Sequence, residues 1–289
     1  MRYIVGYGPQ QRGVDAINLA STLARSSGAY LDLVVVLPDD APTFDMYSPD
    51  HAYNTELRKQ AGEWLEDGLS RVPTDVPAEG HLVNAESVGE GLVEKAEEPG
   101  KGGEAGMIVV GTSHHVRLGS IADALLHSAS VPVALTPAEY EPQETITRIT
   151  CATGVREGHE VLVKFAIQAA CEWKVPLRLM SLVAVGETGS EERRKEWTEL
   201  AELHISTIAQ KAAEELPAEC PVTTVVGQGS TLVEAVNGLE FSPSELVMVG
   251  SSRLAQPRRL FIGRTATKMM RVLPVPVIVV PRDYDPDEP

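Results

Sequence analysis

The chain alternates short apolar runs with longer stretches of helical period, and it does so twice. Arg2 to Gly8 (RYIVGYG) opens on an apolar run, and Leu31 to Leu37 (LDLVVVL) is nearly all apolar. Runs this short and this β-branched predict strands covered on both faces, as in a parallel sheet. Between them, Val14 to Ser26 puts Ile17, Ala20, Leu23 and Ala24 on one helical face, and Gly28 stands where a helix end favours glycine. A polar stretch, Pro38 to Asn54, follows. Thr55 to Val72 predicts a helix with Leu57, Ala61, Trp64, Leu65 and Leu69 inward, and Gly80 to Asn84 a weak third strand. Ser87 to Glu98 is a third helix, Met107 to Val110 a fourth strand, Ser120 to Ser128 a fourth helix and Val131 to Leu135 a fifth strand.

After a short linker, Tyr140 to Ile146, the same order returns. Strands are predicted at Arg148–Ala152, Leu177–Val185, Val222–Val226, Leu246–Val249 and Val275–Val280. Helices are predicted at Gly158–Lys174, Glu191–Leu216, Ser230–Leu239, with Ser230 as N-cap, and Arg264–Leu273. Gly111 matches Gly250, Gly119 matches Gly263, and Val131-Pro132-Val133 matches Val275-Pro276-Val277. A period of about 140 residues is that of a whole domain. The reading is two α/β domains, 1–142 and 147–289, each a doubly wound parallel sheet with helices on both faces. Ligands of such sheets sit beyond the strand C-termini where the order reverses. Here that crevice lies between strands one and four, walled by the loops after Tyr7 and Gly111 and after Ala152 and Gly250. Each half also ends in an apolar strand with proline at its second position, which suits an edge. The two copies are therefore expected to pair with each other as an intramolecular pseudo-dimer.

Charge sharpens the picture in one place. The 289 residues carry a net charge of −16, and residues 1–144 hold 9 Lys/Arg against 22 Asp/Glu. That excess of acid repels phosphate backbones and speaks against nucleic acid as a partner. No apolar run reaches the roughly 20 residues that a membrane helix needs. Three cysteines (Cys151, Cys171, Cys220) at no paired spacing, with no visible signal peptide, point to a reducing, cytoplasmic setting. Against this acidic background, Leu246 to Arg282 has seven Lys/Arg and no Asp or Glu. Arg253, Arg258, Arg259 and Arg264 fall in a glycine-flanked loop that feeds a helix N-terminus, an arrangement suited to anions. The alternative is that these arginines clamp the acidic first half.

From strand four through strand five the chain resembles the universal stress protein family in its tandem form, and the resemblance extends over both halves. The family pattern is G-x2-G-x9-G-[ST], then a helix and a V-P-V strand. Membership implies a five-stranded parallel sheet of order 3-2-1-4-5, dimerisation through strand five and, in ATP-binding members, a loop wrapped around the phosphates with an aspartate ending strand one. In the first half Gly111, Gly119 and Ser120 match, His114 replaces the second glycine, and the loop is about five residues short. In the second half Gly250 and Gly263 keep the full separation, while Arg253 and Arg264 replace the glycine and the hydroxyl. The strand-one aspartate aligns near Gly8 and Thr153. Neither half holds a complete ATP signature.

Other candidates read as ordinary structure. His114 and His115 are adjacent, point apart, and have no metal-ligand partner at suitable spacing. His204 falls on a helix face with Trp197, Leu200, Ala201 and Ile208, where it reads as a packed histidine, and His127 meets the negative end of its helix. No G-x-S-x-G elbow appears, and the cysteines fall on strand one, helix one and a turn. The loop 38–54, with Phe44, Met46 and Tyr47, suits either a lid or disorder. The expectation is a cytoplasmic, non-enzymatic stress-response module that binds or regulates, with ATP or another phosphate-bearing anion as ligand and further homo-oligomers as partners. Slow ATP hydrolysis is the alternative.

Overall fold

The computed structural model describes residues 1–39, 50–101, 103–112, 119–154, 159–186, 189–251 and 262–284, with backbone alone at 50–54 and 264. The first half runs β1 (Arg2–Gly6), α1 (Gln11–Ser27), β2 (Tyr30–Pro38), α2 (Asp50–Arg71), β3 (Ala78–Ala85), α3 (Val88–Glu97), β4 (Ala105–Gly111), α4 (Ser120–Ser128) and β5 (Val133–Thr136). The second runs β6 (Arg148–Ala152), α5 (Glu160–Trp173), β7 (Leu177–Ala184), α6 (Glu191–Glu215), β8 (Val222–Gly229), α7 (Leu232–Asn237), β9 (Glu245–Gly250), α8 (Arg264–Met270) and β10 (Val277–Val280). Each half is a parallel sheet of order 3-2-1-4-5, and the two join in one ten-stranded sheet, β3-β2-β1-β4-β5-β10-β9-β6-β7-β8. The join is antiparallel, Val277 opposite Leu135 and Val279 opposite Val133. Helices α1, α2, α5 and α6 cover one face, and α3, α4, α7 and α8 the other.

The two prolines sit differently from their expected place. Each precedes its strand, and β5 and β10 lie fully buried in mid-sheet rather than at an edge. Pro132 and Pro276 still accept through their carbonyls from Ile108 and Val247, at 2.9 and 3.0 Å. Lacking an N–H, they cannot extend the antiparallel ladder, which stays three pairs long.

Local chemistry sets the other boundaries. Gly28 ends α1 in the left-handed region (φ +70°), donating to the Ala24 carbonyl. Helix α7 is capped by Thr231 rather than Ser230. The Thr231 hydroxyl accepts the Glu234 N–H at 3.2 Å, and the Glu234 carboxylate accepts the N–H of Ser230, the residue before the cap, at 2.8 Å, a variant of the capping box. Helix α8 stops at Met270, three residues early, so its dipole is weaker than the sequence suggests. The third strands are full length, eight residues each. In α6 the sheet takes Ala201, Ile205, Ile208 and Ala212, while Trp197 and Leu200, expected inward, are 48% and 55% exposed. The two alanines and two isoleucines form the buried face, and Trp197 and Leu200 lie off it.

Polar side chains one helical turn apart on α1 hold the linker. Buried Asp15 accepts the Glu139 N–H, Asn18 donates to the Tyr140 carbonyl, Thr22 accepts from Gln143, and Ser26 accepts from Ile146. Gln143 in turn accepts from Ser244 of the second half at 3.1 Å. The linker is thus a fixed strap.

Each half buries one ionic network, and the two copies use different strands. In the first, Arg2 of β1 is fully buried, paired with Asp32 of β2, and donates to the carbonyls of Gly103, Lys95 and Glu98. In the second, Glu245 of β9 is fully buried between Arg148 and Arg178, with Thr150 donating to it. Arg178 also lies over the Phe241 ring at 5.0 Å. Burial holds the Arg178 guanidinium below its ordinary pKa, against the pull of Glu245.

The cysteines are free. Cys151, wholly buried in β6, has its thiol pushed up to about 12 by burial, which makes it a poor nucleophile. Cys220 is buried and raised in the same way, and Cys171 is exposed. Ellman's reagent should therefore titrate one thiol rapidly in the folded chain and three after denaturation. Two or more fast thiols before denaturation would contradict this packing.

Candidate functional site

The strand C-termini put the predicted glycines where their spacing requires. Gly111 ends β4 and Gly250 ends β9. Gly119 and Gly263 are the N-caps of α4 and α8, both extended (φ −63°, ψ 161° and φ −79°, ψ 158°), with Ser120 and Arg264 as first helical residues. Their carbonyls accept the Asp123 and Thr267 N–H groups at 2.9 and 3.0 Å. Arg253, Arg258, Arg259, His114 and His115 lie outside the described residues, as does the side chain of Arg264.

The two crevices are not alike. In the first half the turn from β1 to α1 spans only residues 7–10, against 153–159 for the turn from β6 to α5. The short turn pulls the start of α1 onto the sheet. A Cβ placed on Gly111 would lie 1.9 Å from the Arg12 carbonyl oxygen, and one on Gly13 would lie 2.1 Å from the Gly8 carbonyl oxygen. Backbone thus fills the space over the end of β4, and only glycine permits that approach. Tyr7 closes the flank: its ring packs on Gly68, and its hydroxyl donates to Asp67 at 2.9 Å.

In the second half no described residue fills the same place. Among the described residues, a Cβ on Gly250 would meet nothing nearer than the Leu162 side chain at 3.7 Å, and one on Gly154 nothing within 4 Å. Thr153, at the strand-one aspartate position, is 4% exposed, and its hydroxyl has no hydrogen-bond partner among the described residues. His204 of α6 leans edge-on to the His159 ring, centroids 4.9 Å apart. Burial, then the neighbouring His159, holds His204 below its ordinary pKa, against a backbone hydrogen bond with Gly154. It stands at the crevice flank rather than in the core. Sequence reasoning placed Gly8 and Thr153 but missed the closure by Arg12 and Gly13. The signal was the three-residue difference between the two turns.

A doubly wound parallel sheet, repeated and joined through the fifth strands, defines a tandem α/β protein. The chain belongs to the universal stress protein family, whose sequence profile matches residues 1–137 and again 145–281. It is 27% identical over 298 aligned positions to universal stress proteins of Mycobacterium tuberculosis and Mycobacterium bovis, covering 97% of this chain and 100% of those relatives. A crystal structure of a universal stress protein from Archaeoglobus fulgidus DSM 4304 superposes with a TM-score of 0.70 at 16% identity, over 97% of this chain and 98% of that one, a likeness of fold. Among the described residues, no helix is long and apolar enough to cross a membrane.

Proposed function

We propose that this chain is a non-enzymatic binding and regulatory protein of the stress-response type, acting in the cytoplasm, with one anion site that lies in the second half. The observation that carries this reading is the contrast between Gly111, pressed against the Arg12 carbonyl, and Gly250, which among the described residues meets only the Leu162 side chain, at 3.7 Å. A phosphate-bearing ligand needs close backbone approach at this glycine, and the first half has already spent that space on itself. The buried Thr153 hydroxyl, without a partner among the described residues, supplies a polar group at the second crevice that a ligand would satisfy. Arg253 and Arg264 add guanidinium groups in sequence positions that flank it. The three free cysteines suit a reducing compartment.

ATP binding with slow hydrolysis is the second reading, favoured by the full separation of Gly250 and Gly263. Thermal unfolding separates the possibilities. Millimolar phosphate should raise the melting temperature of the wild type, and Arg253→Ala with Arg264→Ala should abolish the rise. A rise with ATP but not with phosphate favours the second reading. A wild type indifferent to phosphate, sulfate and nucleotide alike overturns the anion site. If the double substitution lowers stability while phosphate has no effect on the wild type, the arginines clamp the protein instead.

A further inference from the structure

A cavity of about 200 Å³ lies between the halves, on the α1/α5 face and remote from both crevices. It is smaller than the roughly 300 Å³ at which pockets for drug-sized ligands begin. Its walls come from three parts of the chain. Tyr3 and Met107 stand on β1 and β4 of the first half, Phe165, Glu172 and Trp173 on α5 of the second, and Tyr284 in the segment after β10.

Four aromatic rings around a space this small are unusual in a chain whose Phe, Trp and Tyr make up only 5% of residues. The rings are arranged rather than heaped. Phe165 and Tyr284 meet edge to face, centroids 5.7 Å apart and planes at 79°, so they form two walls of a corner. Tyr3 is pinned by donating its hydroxyl to Ser27 at 2.8 Å. Glu172 has the one charged side chain among the described residues that line the cavity. Its charge reaches the Tyr3 phenol, raising it beyond the large effect of burial, and Glu104 acts likewise on Tyr284. The wall therefore brings one carboxylate and four aromatic rings together.

We propose that this cavity binds a small organic cation of the quaternary ammonium class. Ring faces attract a diffuse cation, and a carboxylate at the mouth sets the sign of charge. A metal ion is a poor fit, because a hard cation needs several oxygen ligands and this wall offers one carboxylate. An anion is repelled by Glu172. The ligand would touch both halves and the segment after β10 at once, so its binding would tie the three together.

Saturation-transfer difference NMR on the full chain, with tetramethylammonium chloride and its neutral counterpart tert-butanol as probes, tests this. Saturation should pass to the tetramethylammonium methyl groups and not to tert-butanol. Glu172→Gln and Tyr284→Leu should each weaken the cation by roughly tenfold. Glu172 is exposed, so its variant keeps the test valid if Tyr284→Leu disturbs folding. Equal transfer to both probes, no transfer to either, or cation binding unchanged in Glu172→Gln would overturn the proposal.

Discussion

Glu245→Ala should lower the stability of the protein by about 3–5 kcal/mol, the cost of leaving a buried charge without its partner. Glu245 is fully buried, and it accepts from Arg148, Arg178, Thr150 and the Ser242 N–H. Removing it strands Arg178, whose side chain is only 9% exposed and whose charge already resists burial. Arg148 loses less, because a third of its side chain reaches water. The effect belongs to the unpaired charge rather than to the worth of the pair. Accordingly, Arg178→Met combined with Glu245→Leu should recover most of the loss. Chemical denaturation followed by circular dichroism measures both. A single substitution that costs less than about 1 kcal/mol would mean that water or relaxation reaches the network.

The second large effect compares two equivalent glycines. Gly111→Ala should destabilise the chain by about 1–3 kcal/mol or more, the usual range for overpacking. The new methyl would sit 1.9 Å from the Arg12 carbonyl oxygen, and that contact is with backbone, so either α1 or β4 must move. Gly250→Ala meets only ordinary contact at 3.7 Å among the described residues and should change stability by no more than about 0.5 kcal/mol. What it should lose is affinity for phosphate, since a methyl keeps a ligand from the backbone. If both alanines were tolerated equally, the first crevice would not be closed as described.

Periodicity made most of the framework readable. Val131–Leu135 and Val275–Val280 announced the fifth strands, and Gly28 announced the end of α1, because each depends on nearest neighbours along the chain. Arg2 and Asp32 gave no such signal. Asp32 looked like one polar residue in an apolar strand, and its partner stands thirty positions away. Trp197 and Leu200 had the spacing of a buried face, yet the alanines beside them fixed the rotation of α6. The site divides in the same way. Gly111, Gly119, Ser120, Gly250 and Gly263 lie at strand ends and helix starts because a strand–loop–helix unit puts them there. The difference between the crevices arises from where the start of α1 lands on β4, a tertiary event that turn length only hints at.

We propose one anion site per chain, in the second half. Titration calorimetry of the full chain with inorganic phosphate, and separately with ATP and magnesium, tests it most directly. A single site is expected, with a stoichiometry near one, that disappears in Arg253→Ala with Arg264→Ala and survives Ser120→Ala. Two equivalent sites per chain, or binding that is lost with Ser120 and indifferent to both arginines, would contradict it.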